Sequence, residues 1–98
     1  MVTWSEPAKD DLKSVFDYIK EDSVFYAERL VELALKKSEI INDFPKAGRI
    51  VPEFADENRR ELFVYSYRMI YRITHSDIII TAFIHGARNL TSEEFSNI

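Results

Sequence analysis

The stretch YSYRMIYRI, residues 65–73, sets Arg68 and Arg72 on either side of Ile70. Side chains alternate along a strand, so two guanidiniums at this spacing share one face. A guanidinium is permanently charged and binds carboxylate or phosphate through paired hydrogen bonds. Downstream, HGAR (85–88) adds Arg88 and His85, whose imidazole titrates near neutral pH and suits a general base. Upstream, Arg59 and Arg60 open a further run of strand-like residues. The chemistry on offer is anion recognition, with one group able to move a proton. The plainer alternative is that Arg68 and Arg72 pair with Glu61 or Asp77 on a solvated face, where such pairs contribute little.

Other chemistries have no residues to carry them. The chain has no cysteine and two histidines far apart, so no metal-ligand cluster and no cofactor is expected. It has no glycine-rich phosphate loop and no G-x-S-x-G elbow. Residues 1–45 carry six Lys/Arg against ten Asp/Glu, and residues 46–90 carry seven against five. The whole is acidic, with a net charge of -4. Non-specific nucleic-acid binding needs a broad basic surface, so stable DNA binding by the chain alone is not expected. No membrane partner is expected either, because no run is long enough to span one. MVTWSEPAKDD lacks the pattern of a signal peptide, and a cytoplasmic protein is the expectation.

The elements that must position these residues follow from periodicity. The 98 residues suffice for one domain. VTWS (2–5) is short and β-prone, and Ser5 can cap a helix with Pro7 in its first turn. Ala8, Leu12, Val15, Phe16 and Ile19 then recur at helical spacing, ending near Asp22. Ser23 can cap a second helix with the stripe Ala27, Leu30, Val31, Ala34, Leu35, Ile41 and Phe44, stopped by Pro45. PKAG (45–48) reads as a turn and RIVPEFADEN (49–58) as loop with room for a short extended piece, and Gly48 and Gly86 are taken as turn glycines of positive φ. From Arg59 the period becomes two. Strands are expected at 59–66, 67–74 and 77–85, with a hairpin at His75–Ser76 and a less marked turn at Tyr65–Tyr67. Thr91 or Ser92 can cap a short last helix. The expected fold is α+β, in the order β-α-α-β-β-β. An N-terminal short strand and a helical hairpin pack on one face of a mainly antiparallel sheet. Strict alternation puts Tyr67, Met69, Tyr71, Ile73, Ile78, Ile80, Ala82 and Ile84 under the helices. It leaves Arg68, Ile70, Arg72, Ile79, Thr81, Phe83 and His85 on a mixed outer face, a candidate binding surface.

The pieces W-S-x-x-A-x-x-D-L (4–12), P-K-A-G-R (45–49), R-E (60–61), Y-R-M-I-Y-R-I (67–73) and H-G-A-R (85–88), in this order, resemble the RelE/ParE superfamily of bacterial toxins. The resemblance implies the toxin half of a toxin–antitoxin pair, neutralised by a cognate antitoxin. RelE-like members cut messenger RNA on the ribosome, and ParE-like members inhibit DNA gyrase without being enzymes. The RelE pattern matches at Arg68 and Arg88, with His85 as a substitute base. The usual lysines near Arg59–Arg60 are missing, and so is a C-terminal tyrosine, where Glu94 and Phe95 stand instead. This tips the expectation to the ParE branch: a gyrase inhibitor and not an enzyme, with an mRNA endoribonuclease or an inactive antitoxin-binding member as alternatives. Arg59, Arg60, Arg68, Phe83, His85 and Arg88 are the expected partner-binding residues. Arg68, His85 and Arg88 are expected to meet at one corner of the sheet, repelling one another until a partner supplies an anion. Truncating Arg68 would then leave the fold intact. Arg72 is assigned to structure, near Asp77.

Overall fold

In the computed structural model, which describes residues 1–91 and 98, the chain forms two helices on a five-stranded sheet. The elements are β1 (Val2–Trp4), α1 (Glu6–Lys20), α2 (Val24–Asp43), β2 (Arg49–Ile50), β3 (Arg59–Val64), β4 (Tyr67–Ile73) and β5 (Ile78–His85). The sheet order is β1-β5-β4-β3-β2. β1 runs parallel to β5, and the other pairs are antiparallel. The α+β architecture is as the periodicity implies, and the two-residue β2 is the short extended piece within residues 49–58. The final helix expected from Thr91 or Ser92 lies outside the described residues.

Local signals set the helix limits. The Ser5 hydroxyl accepts the Ala8 N–H at 3.2 Å, and the Ser23 hydroxyl accepts that of Tyr26 at 3.1 Å. α2 stops at Phe44, whose N–H still reaches the Ile40 carbonyl, because Pro45 follows. Ala8, Leu30, Ala34 and Ile41 pack onto Val64, Met69, Tyr71, Ile78, Ile80 and Phe83 to form the main core.

The sheet departs from strict alternation at one point. Ile70 pairs with Ala82 and Tyr71 with Ile80, so Thr81 is an extra residue on β5. This bulge turns the strand by one step and reverses its faces beyond it. The Thr81 hydroxyl donates to the Ile70 carbonyl at 3.4 Å. Ile78 and Ile80 face the helices as expected, but Ala82 and Ile84 turn to the opposite face and Phe83 turns in. The opposite face is not an open mixed surface. Val51, Ile70, Ala82, Ile84, Leu90 and Ile98 form a second core there, with Phe54 packed against it.

Neither Gly48 nor Gly86 has positive φ; that backbone region is taken by Ala55 (φ 51°) and by Tyr65 (φ 53°) in the β3–β4 turn. The glycines are required by close approach instead. A Cβ on Gly48 would lie 2.6 Å from the Glu61 carbonyl oxygen and 2.8 Å from the Tyr71 hydroxyl. That hydroxyl accepts the Gly48 N–H at 2.9 Å and donates to the Pro45 carbonyl at 2.6 Å, locking the turn after α2 onto β4. Burial raises the Tyr71 pKa, which keeps the hydroxyl a donor. Tyr71→Phe leaves the buried Gly48 N–H without an acceptor. We expect a loss of about 1–3 kcal/mol, read as a fall in Tm of at least about 4 °C in thermal denaturation. An unchanged Tm would contradict this role.

Candidate functional site

Arg68 is the centre of the charged residues, and it is buried. Its side chain is 4% exposed, on the sheet face away from the helices. Nε donates to Glu61 Oε1 at 2.6 Å. Nη2 and Nη1 donate to the two oxygens of Glu53, both at 2.7 Å, and Nη1 also reaches the Arg88 carbonyl at 2.9 Å. The second oxygen of Glu61 is held at 2.6 Å by Arg49, whose guanidinium lies over the Phe63 ring. The result is a row, Glu53–Arg68–Glu61–Arg49, of alternating sign and zero formal charge.

The row comes from strand geometry and one loop. Glu61 stands beside Ile70 and Phe63 beside Arg68 in the β3–β4 ladder, so Glu61 and Arg68 are diagonal neighbours on one face. Glu53 is brought over that face by residues 51–58. Its Oε2 also accepts the Leu90 N–H at 3.3 Å, which ties the segment after β5 to the same carboxylate. Hydrogen bonds from Arg68 hold the Glu53 carboxyl down at about 2, against the opposing effect of burial. The same bonds, with Glu53 first and Glu61 after it, raise the Arg68 pKa although burial works the other way. A cavity of about 330 Å³ lined by Arg49, Pro52, Glu53, Arg68, Gly86 and Asn89 opens beside the pair.

The other expected site residues are scattered. Arg59 stacks over Phe54 at 4.9 Å and lies 3.8 Å from Asp56. Arg60 donates to the Glu57 and Gly48 carbonyls at 2.8 and 2.9 Å, so it fastens loops. Phe83 is not a surface contact: the Thr81 bulge turns it into the main core at 1% exposure, stacked on Tyr67. His85 is exposed on the helix side, edge-on to Tyr67, and its Nδ1 accepts the Ala87 N–H at 3.1 Å. Tyr67 and Arg68 are adjacent in β4 and point to opposite faces, so His85, opposite Tyr67, is across the sheet from Arg68. The corner of Arg68, His85 and Arg88 side chains is therefore not formed, and the anion it was to await is supplied by Glu53 and Glu61 within the chain. Arg88 meets Arg68 through its carbonyl, and its charge lowers the pKa of Asp11, which burial raises overall. Among the described residues no ion pair joins Arg72 to Asp77. Nor is there a cluster of His, Asp and Glu fit to hold a metal. No described helix is long and apolar enough to cross a membrane.

Sequence reasoning missed Glu53 and Arg49. The available signal was Glu61: an acid on the same strand face as Arg68 in the next strand, weighed only as a surface partner. Part of the apolar stripe of the helical hairpin lines a groove of about 580 Å³ beside the edge strand β1. Val2, Trp4, Leu12, Phe16, Val31 and Leu35 line it, with Lys9 and Lys13 at its rim.

Comparison with known proteins adds an independent finding. A family described as the ParE toxin of the type II toxin–antitoxin system parDE matches residues 2–90. A solved structure described as the chromosomal ParDE TA system from P. aeruginosa superposes with a TM-score of 0.69 at 17% identity, covering 86% of this chain and 92% of that one. This second likeness is one of fold. No curated protein matches the sequence.

Two outcomes follow from the ion-pair row. Arg68→Ala leaves Glu61 buried without its inner partner and is expected to cost about 3–5 kcal/mol, whereas Arg72→Ala costs well under ~1 kcal/mol. Glu53 has its folded pKa near 2, below the ordinary 4.5, so its contribution is full above pH ~4.5 and is lost as pH falls toward 2. Stability measured by denaturant between pH 6 and pH 2.5 is expected to fall more steeply for wild type than for Glu53→Gln. Parallel curves, or equal costs for the two arginine variants, would contradict the assignment.

Proposed function

The chain belongs to the ParE toxin family of type II toxin–antitoxin systems, and from that premise we propose that it acts by binding, as an inhibitor of DNA gyrase in the cytoplasm, and that a cognate antitoxin neutralises it. The observation that carries the non-enzymatic reading is the engagement of Arg68 within the chain. A phosphate in an RNA-cleaving site needs a guanidinium with donors to spare. Four of the five N–H donors of Arg68 are taken by two carboxylates and a carbonyl, and its side chain is only 4% exposed. His85, the substitute base, is on the other face of the sheet from Arg68. The ribonuclease reading would need both groups at one phosphate.

A binding protein needs surface instead, and apolar surface is present. The groove along β1 has the lining of a site for an amphipathic segment, with Trp4 and Phe16 as aromatic anchors and two lysines at the rim to receive acidic residues. That is where the antitoxin is proposed to sit. The candidates Arg59, Arg60 and Arg68 are engaged in holding the fold, and Arg88 and His85 are exposed.

The purified protein is expected to inhibit supercoiling by gyrase, and antitoxin added first is expected to prevent it. Cleavage of ribosome-bound message, with gyrase unaffected, would replace this reading by the ribonuclease one. Neither activity, with antitoxin still bound, would leave an inactive family member.

A further inference from the structure

The β3–β4 turn holds a residue that its backbone does not favour. Val64 pairs with Tyr67, so Tyr65 and Ser66 alone make the turn. Tyr65 has φ 53°. Positive φ at the first of two turn residues belongs to glycine in the usual hairpin, because a Cβ is crowded there. A bulky residue in that region is strained, and such strain collects where a side chain is held for function. The fold gains little from this ring, which is 54% exposed.

The ring stands between two hollows. One, of about 310 Å³, it lines with Tyr18, Ile19, Tyr26, Leu30 and Tyr67, together with Asp22. The other, of about 380 Å³, it lines with Arg29, Glu32, Leu33 and Lys36. Tyr18, Phe25 and Tyr26 are all more exposed than Tyr65, and Phe25 meets Tyr26 edge-on at 5.9 Å. Single exposed rings are ordinary, but four at one end of a small domain have the composition of an interface centre. The second hollow is net positive. Arg29 lies over the Phe25 ring at 5.5 Å, and among the described residues neither Arg29 nor Lys36 is in an ion pair.

This surface is separate from the groove along β1. On α2, Tyr26, Leu30 and Leu33 share one side of the helix, whereas Val31 and Leu35, which line the groove, are on the opposite side. Leu90 and Ile98 are both in the second core, across the sheet from the helices.

We infer that the hairpin end is where the toxin binds the protein it inhibits, through a segment of that protein with an apolar side chain for the first hollow and a carboxylate for the second, set on either side of Tyr65. The inference rests on the reading above that the target is gyrase. The positive charge of the second hollow selects the carboxylate, and the tyrosines supply rigid apolar anchors with polar tips. Asp22 and Glu32 beside the rings disfavour a phosphate backbone, so the occupant is protein.

The test is inhibition of supercoiling by purified gyrase, with no antitoxin present, for wild type, Tyr65→Gly, Tyr26→Ala and Lys36→Glu, each with its Tm. Tyr65→Gly relieves the backbone and is expected to melt no lower than wild type, while the concentration for half inhibition rises at least about tenfold. Tyr26→Ala, at an exposed helix position, is expected to cost as much inhibition. Lys36→Glu reverses the charge of the second hollow and is expected to weaken inhibition at least about threefold. Should Tyr65→Gly fail to fold by circular dichroism, Tyr26→Ala and Lys36→Glu decide. A wild type that inhibits, beside folded variants that inhibit equally well, overturns this surface and leaves the gyrase reading standing. A surface reserved for antitoxin would give that result. A wild type that does not inhibit gyrase overturns the reading above and this inference with it.

Discussion

The constraint on which the rest depends is the burial of one guanidinium. Arg68 sits in the middle of the sheet on the face without helices, and a lone charge there would be intolerable. Two carboxylates and a main-chain carbonyl must therefore be delivered to it. Glu61 arrives with β3, Glu53 with the loop at 51–58, and the Arg88 carbonyl with the segment after β5. Three separate parts of the chain are thus committed to one side chain. Buried ion pairs often add little net stability, because desolvation offsets the attraction. Their consequence here is geometric: neither the loop nor the C-terminal segment can leave without exposing an unpaired charge to an apolar surface.

What the row secures is the second core. Once Glu53 and Arg88 are placed, Val51, Phe54 and Leu90 come down on Ile70, Ala82 and Ile84. The sheet is then covered on both sides, by helices on one and by irregular chain on the other. A small sheet with one bare face would present a large apolar patch. Much of the large apolar surface that stays exposed is on the helices, with Tyr18, Phe25, Tyr26 and Leu35 among it. The closed charge row and the open groove are two results of the same arrangement.

Much of the fold was legible in the residues. The serine caps, the helical stripes and Pro45 gave both helices to within a residue or two, because those signals are local. The strands were legible from period two. Two errors came from non-local causes. Alternation carries no mark of a bulge, so Thr81 was not suspected, and Phe83 and His85 were assigned to the wrong face beyond it. Glu53 lies in a stretch with no periodicity, and nothing local says that it will meet Arg68. Arginines on a strand face read as a surface waiting for an anion, when the chain supplies its own. Gly48 and Gly86 were noticed for the right residue type and the wrong reason, since crowding leaves no trace in a single sequence.

The central claim is that Arg68 shapes this protein and does not touch its target. It is tested most directly by replacing the buried charges together with apolar or neutral groups of similar size: Arg68→Met with Glu61→Leu and Glu53→Gln. Such exchanges of complete buried ion-pair sets are often neutral for stability. The measurement is inhibition of gyrase supercoiling by the folded triple variant, at matched concentrations of folded protein. The account predicts inhibition equal to that of wild type. A variant that keeps the native circular dichroism spectrum and cooperative unfolding, yet loses inhibition, would contradict it and return Arg68 to the functional surface.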